Sequence, residues 1–502
     1  MRTKQERHED PRRLILAALM CTMMLAAMDT TIVSTAIPQI VGDLGGFRLF
    51  SWVFSIYLLA QTVTIPIYGK LSDLFGRKPV LMSGMLIFLA GSAASALSWN
   101  MVSLIAFRGL QGLGAGAIMA TVSTLAGDLY SVRERAAVQG WLASVWGVAA
   151  IIGPLLGGAF AEYVSWRWIF VINLPVGALA LGLLGTLLHE EFERRHPHID
   201  YVGAALVLAS VGAVIFGLLQ GGQAWPWLSP ISLTIFSVAA VLLVLTVLVE
   251  RRAPEPVMPG WLWRRRELAV SNLGAIGMGA AIMAPSAYLP TFSQSVQGLG
   301  AIAAGLVLAA MSIGWPTASA LSGHLYTRIG FRDTALAGTV LIGCAATGFL
   351  LIPTPQPIWA VVMVQVVLGA GLGLVSTSLI VGVQSVVGWG QRGVVTGANM
   401  FSRYLGQSLG AALFGAIFNS VVAARLTQAP ATISDALPHN INDVIATLHT
   451  TPATSQAAAY LRDTIALATH DLYLGMAAIA VLIFAILLAA PRHFPVLSHD
   501  AQ

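Results

Sequence analysis

An all-α, polytopic membrane protein is the fold class that this sequence predicts, and three observations carry the expectation. The first is composition: of 502 residues, 57% are hydrophobic and 10% are charged, whereas soluble globular chains hold about 45–50% apolar and about 25% charged residues. Mean hydropathy is +0.78. So few charges cannot cover a water-facing surface, which excludes a soluble multidomain protein, a disordered chain, a disulfide-rich secreted scaffold and a nucleic-acid binder. The two cysteines, Cys21 and Cys344, lie in long apolar stretches and read as small buried hydrophobes. The second observation is a series of apolar runs of about 20 residues, the length that crosses the hydrocarbon core. The third is an internal repeat across those runs.

The first run, 14–37, follows the charged stretch MRTKQERHEDPRR. It exceeds the roughly 7–15 residues of a signal-peptide core and no small-residue cleavage site follows, so it reads as a retained spanning helix. Runs at 50–69, 79–98, 102–126, 136–160 and 168–188 complete a first six-helix bundle, 14–188. Runs at 201–220 and 230–249 form an inserted pair within 189–267, which ends in a Pro- and Arg-rich linker, 250–267. Runs at 268–292, 302–323, 334–352, 358–384, 394–421 and 467–489 make a second six-helix bundle, 268–489, with an external loop at 422–466. The ends, 1–13 and 490–502, then lie on one side of the membrane after fourteen crossings.

The distribution of basic residues tests this count, because cytoplasmic loops carry the excess of Lys and Arg. With a cytoplasmic N-terminus, of the 27 Lys and Arg residues just Arg48, Arg167, Arg425 and Arg462 fall outside, while Arg108 and Arg403 fall within spans. The net charge of +5 is therefore a topology signal. The expected location is a plasma membrane, as in a bacterial inner or cell membrane, with both termini cytoplasmic.

The repeat aligns GKLSDLFGRK (69–78), after the second span, with GHLYTRIGFR (323–332), after the tenth. Glycine, leucine, glycine and the final base match at an offset of 254 residues. A second echo pairs RGLQGLGAG, from Arg108, with QVVLGAGLG, from Gln365. Duplicated halves around a central cavity are the plan of a secondary transporter.

Ionisable groups at mid-membrane are functional candidates by default. Asp29 is the one deep acid of the sequence, about 13 Å from the outer end of its span at 1.5 Å per residue. Arg108 lies about 10 Å from the outer end of the fourth span, so the two can pair. A carboxylate released from its partner at that depth is disfavoured in its charged form, which makes Asp29 a candidate proton carrier. A static ion pair that orients helices is the other reading. Arg403 has Asn399 and Gln407 one turn away on either side, giving its helix a polar mid-depth face. It reads either as a substrate or coupling contact or as an arginine satisfied by backbone carbonyls.

Gly69, Asp73, Gly76, Arg77 and Lys78 form a short loop in which Asp73 could face a helix N-terminus and hold two helices together in one conformation. Gly153, Pro154, Gly157 and Gly158 in the fifth span read as a hinge or seal, or as ordinary small-residue packing. Met28, Tyr57, Gln61, Gln111, Trp146, Tyr288, Trp315, Asn399, Arg403 and Tyr404 are candidate cavity residues, since aromatic, thioether and amide side chains suit flat lipophilic or cationic ligands. Membrane aromatics also pack or sit in interfacial belts. The sequence holds no nucleotide-binding loop, no metal-spaced His/Cys cluster and no deep nucleophile–base pair. An enzyme is not expected, nor a cofactor; an ion gradient is the expected energy source.

These segments together resemble the fourteen-helix drug:proton antiporter branch of the major facilitator superfamily. MDTTIVSTAIP (28–38) is similar to that branch's helix 1 motif, with Asp29 as its acid. GKLSDLFGRKPV resembles the superfamily's loop 2–3 motif, RGLQGLGAG the helix 4 motif whose arginine is implicated in proton coupling, and GPLLGG (153–158) the helix 5 antiporter motif. WRWIFVINLPVG (166–177) and SRYLGQSLG (402–410) are also similar to segments of the branch. The resemblance implies the major facilitator fold and export of lipophilic or cationic toxic compounds in exchange for protons. A dedicated exporter of a lipid, siderophore or secondary metabolite is the alternative, ahead of a proton symporter or a non-transporting receptor. The partners implied are the bilayer, small-molecule substrates and protons, with no nucleic acid; a periplasmic adaptor is left open. Thr327 stands where the first half has Asp73, and Gln365 where it has Arg108. With one deep carboxylate, a low proton stoichiometry is expected.

Overall fold

The computed structural model describes residues 4–497 apart from 47–48, 191–199, 223, 353–356, 431, 439–443, 445–446 and 449–454. Arg2, Arg48, Arg194, Arg195, His439 and His449 lie outside the described residues. Among the described residues, fourteen helices are long and apolar enough to cross a membrane. They are α1 (Lys4–Thr35), α2 (Phe50–Phe75), α3 (Arg77–Ala96), α4 (Met101–Leu129), α5 (Val132–Tyr163), α6 (Trp168–Leu187) and α7 (Tyr201–Gln220), followed by α8 (Pro230–Glu250), α9 (Arg266–Ser295), α10 (Ala303–Ile329), α11 (Phe331–Leu351), α12 (Ile358–Ser385), α13 (Arg392–Thr427) and α14 (Gln456–Leu488). Long helices are what apolar solvent demands, because each backbone N–H and C=O must find its partner within the segment.

Two six-helix halves pack alike. α1 lies on α5 and α6, and α4 on α2 and α3; in the same relation α9 lies on α13 and α14, and α12 on α10 and α11. The halves meet along α2–α13 and α5–α10, the two contacts related by exchanging the halves. Each half has an apolar core, one including Leu19, Phe88, Ile118 and Phe170 and the other Phe349, Leu372, Met476 and Ile483. The inserted pair packs α8 on α7, and α7 touches α2 and α13. α8 turns Val241, Val244 and Val247 outward, as a lipid-facing helix does.

Both described ends pack on one face, here the terminus face. Tyr130 Oη donates to the Arg12 carbonyl at 2.9 Å, and Leu497 N donates to the Ser385 carbonyl at 3.0 Å. The aligned glycines of the repeat, Gly76 and Gly330, both sit at positive φ, 94° and 88°. That left-handed backbone favours glycine and makes the tight reversals from α2 to α3 and from α10 to α11.

Expected boundaries shift at several helix ends. α2 runs on to Phe75 and α3 starts at Arg77, so the expected loop at Gly69–Lys78 is helical but for Gly76, and α10 continues to Ile329. The first span ends at Thr35, and a separate helix, Ile37–Leu44, starts with Pro38 in its first turn, where proline's missing N–H costs nothing. α14 begins at Gln456 rather than 467, capped by the Ser455 hydroxyl, which accepts from Ala458 N at 3.1 Å. α13 runs on to Thr427, so helix fills both ends of the expected 422–466 loop. Leu437, Val444 and Leu448 of that loop pack on Val422, Leu461 and Ile465 in a small core of their own.

Candidate functional site

Between the halves lies a cavity of about 490 Å³, lined by α1, α2, α4 and α5 on one side and α9, α10, α12 and α13 on the other. This size falls in the range of about 300–1,000 Å³ typical of small-molecule sites. Gln61, Trp146, Trp315, Arg403 and Tyr404 line it, as does Gln407. Gln61 Nε2 donates to Tyr404 Oη across the halves at 3.4 Å.

The other cavity candidates are placed elsewhere. Tyr57 is fully buried beneath Arg108, its ring centroid 4.2 Å from the guanidinium. Gln111 is consumed by Asp29 and Arg108. Met28 packs into the first half's core. Tyr288 packs on Phe418, with centroids 5.0 Å apart. Asn399 turns to α9, where its Nδ2 donates to the Ser271 carbonyl at 3.3 Å, beside a minor pocket of about 10 Å³ that it shares with Arg403.

Asp29 and Arg108 are both fully buried and form an ion pair. The other carboxylate oxygen, Oδ1, accepts from Gln111 Nε2 at 2.8 Å. Arg108 Nη1 also donates to Gln111 Oε1 at 2.9 Å, and Nε donates to the Val53 carbonyl at 3.2 Å. Gly112 admits this cluster: a Cβ there would stand 2.5 Å from the Tyr57 carbonyl oxygen, so glycine lets α2 close over Arg108. Asp29 does not face the cavity; its neighbours Thr30 and Thr31 do. The carboxylate therefore sits one helix face behind the cavity wall.

A second charged cluster closes the terminus face. Asp73, at the end of α2, accepts from Gly393 N and Val394 N, each at 2.8 Å, at the start of α13. It therefore supplies acceptors to the orphan donors of a helix N-terminus in the opposite half. Arg77 pairs with Asp73 at 2.9 Å and Asp128 at 2.8 Å, and Arg392 pairs with Asp128 at 2.9 Å. Arg77 also donates to the Trp389 carbonyl and lies 3.5 Å from the centroid of its ring. Backbones touch here because Gly69 and Gly393 lack side chains: a Cβ on Gly69 would stand 2.5 Å from the Gly393 carbonyl oxygen. Lys78 is not part of this closure. Its Nζ donates to the Gly185 carbonyl at 2.8 Å, and its backbone N to Glu190.

On the α5–α10 side, Tyr326 Oη donates to the Val132 carbonyl and Gly323 packs on Ala136. Thr327, the echo of Asp73, donates to the Gly323 carbonyl of its own helix at 2.7 Å. In the fifth span, a Cβ on Gly153 or Gly157 would stand 2.0 or 2.2 Å from Thr31 or Thr35 Oγ1 of α1, while one on Gly158 meets nothing within 4 Å. Gly153 and Gly157 thus form the seam on α1, Gly158 does not, and Pro154 lies inside the helix between them.

Asp128, Trp389, Arg392 and Glu190 escaped the sequence reading, as did Gln139, which lines the cavity. One signal for Asp128 was available: an acid in a helix's last turn opposes the dipole there and so calls for cationic partners.

The sequence model of the Major Facilitator Superfamily matches residues 19–411. Multidrug transporter protein MdtP of Bacillus subtilis (strain 168) is 33% identical over 451 residues, covering 89% of this chain and 83% of that protein. Multidrug resistance protein 3 of the same organism is 33% identical over 421 residues, covering 83% and 81%. Among solved structures, that of the human organic anion transporter MFSD10 superposes with a TM-score of 0.62 at 16% identity, covering 95% of this chain and 99% of that one.

Proposed function

The chain belongs to the Major Facilitator Superfamily, and from that premise we propose that it is a proton-coupled antiporter that exports drugs or other lipophilic toxic compounds by alternating access. Efflux accords with relatives that are named for multidrug transport. The observation that carries the coupling is the buried Asp29–Arg108–Gln111 cluster, set directly behind the cavity-lining Thr30 and Thr31. A carboxylate there changes charge at the cost of its pairing with Arg108, and that rearrangement is felt at the cavity wall one residue away.

In the proposed cycle the terminus face is cytoplasmic. With the gate around Asp73 closed, the cavity exchanges with the outside; Asp29 takes a proton and loosens from Arg108. Substrate leaves, the gate separates, and the halves rock. Facing inward, Asp29 releases its proton, re-forms its ion pair, and a new substrate enters. One deep carboxylate supports a low proton stoichiometry.

The test is proton release on adding a panel of lipophilic dyes and antibiotics to purified protein in weakly buffered detergent, wild type beside Asp29→Asn. Release from wild type that vanishes in the variant is the expected result. Equal release from both would move the proton site away from Asp29.

A further inference from the structure

The cavity carries a formal charge that no described residue balances. Among the described residues lining it, Arg403 is the one charged side chain, and among the described residues no carboxylate pairs with it. Its contact is the Tyr404 ring, 5.2 Å from the guanidinium carbon, and its Nε is buried without an acceptor. The acid that might have neutralised it, Asp29, is committed to Arg108 and Gln111. On the facing wall, Gln139 Nε2 of α5 is likewise a buried donor with no acceptor. The opposite imbalance is small: Gln61 Oε1 is an acceptor without a donor. The rest of the wall is mainly apolar and aromatic, with Trp146 and Trp315 projecting from opposite halves.

We infer that the preferred substrates are lipophilic organic anions, an aromatic or alicyclic body bearing one carboxylate or comparable group that pairs with Arg403, rather than lipophilic cations. A guanidinium presents a planar fork of donors that matches a carboxylate. In a partly desolvated cavity it attracts an anion and repels a cation far more strongly than in water. Unpaired buried donors also penalise a ligand that brings no acceptor. The inference rests on reading this cavity as the transport site. It has a consequence for energetics: an anion leaving as a proton enters moves two charges in the same electrical sense, so the membrane potential drives export together with the pH gradient.

The test uses matched probes, 2-naphthoate, 2-naphthamide and 2-naphthylmethylammonium, titrated calorimetrically against the purified full chain at neutral pH, with micelle blanks. Wild type should bind the carboxylate at least tenfold more tightly than the amide, with the ammonium weakest. Arg403→Gln should bring the carboxylate to the level of the amide with a far smaller loss for the amide itself, and Arg403→Lys should recover part of the preference. Equal affinities, a preference for the ammonium, binding of none of the three, or an equal loss of all three in Arg403→Gln would overturn the inference; the wild-type comparison stands even where a variant misfolds. Proteoliposomes with an imposed proton gradient separate the two proposals. A carboxylate preference in binding without gradient-driven transport of any probe would defeat the antiporter reading and leave the cavity's charge selectivity intact.

Discussion

At the scale of single residues, the Asp29 cluster makes a prediction that separates shape from charge. Asn at position 29 keeps the volume and one acceptor, but it meets Gln111 Nε2 and Arg108 Nη1, both donors, with an NH₂ of its own. Breaking a buried ion pair from one side costs about 3–5 kcal/mol because the remaining charge is left uncompensated. Asp29→Asn should therefore lower the melting temperature measurably and abolish transport driven by a proton gradient, while ligand binding in the cavity survives, since Thr30 and Thr31 stand between. Reconstituted vesicles and calorimetry read the two halves of this statement. Gradient-driven transport persisting in the variant would remove Asp29 from the coupling. Arg108→Ala should destabilise at least as much, because it strands Asp29 and also removes the cation held over the Tyr57 ring.

At the scale of helices, the seam between α1 and α5 distinguishes glycines that look alike in sequence. A Cβ on Gly153 would stand 2.0 Å from Thr31 Oγ1, whereas one on Gly158 meets open space. Gly153→Val should push α5 off α1, lowering both melting temperature and transport. Gly158→Ala should be neutral or stabilise, by up to about 1 kcal/mol from helix propensity. Thermal unfolding of the two variants side by side checks this, and equal destabilisation would show that the seam is not where the close approach lies. The contrast also marks what a sequence can convey. Hydropathy locates the fourteen spans because lipid imposes an apolar length, but it is blind to helix that continues into water. That is why hydropathy alone misses the first turns of α14, which carry Arg462 and Asp463.

Depth is legible in the same way and rotation is not. Asp29 and Arg108 were placed at matching depth and do pair, yet Tyr57 and Gln111, equally deep and equally polar or aromatic, face the arginine rather than the cavity. The charged cluster at the terminus face is legible on one side alone. Asp73 and Arg77 are one turn apart, whereas Asp128, Trp389 and Arg392 join them through contacts that local pattern cannot encode.

At the scale of the whole molecule, the two related seams between the halves are closed by different physics, and under the proposed alternating-access cycle this asymmetry sets which seam yields first. The α5–α10 seam is small-residue packing with the Tyr326 hydroxyl on the Val132 carbonyl. The α2–α13 seam concentrates charge: Asp73 holds the N-terminus of α13 through two backbone N–H groups, with Arg77, Asp128 and Arg392 linked behind it. Asp73 is 8% exposed, so these contacts are little screened. Asn at this position can still accept from a helix N-terminus but loses the ionic part and the pairing with Arg77, at a cost of about 1–3 kcal/mol. That cost falls only on the state in which the terminus face is closed, so it shifts the balance between the two states by about 5- to 150-fold. Spin labels on cysteines placed at the exposed Arg133 and Arg328, at the terminus-face ends of α5 and α10, report the separation of the halves. Asp73→Asn should add a longer-distance population to that pair. Thr327→Ala, at the matching position of the other half, should leave the distribution unchanged, because its hydroxyl bonds within its own helix. An unaltered distribution in Asp73→Asn would mean that packing at Gly69 and Gly393, rather than charge, holds the face shut.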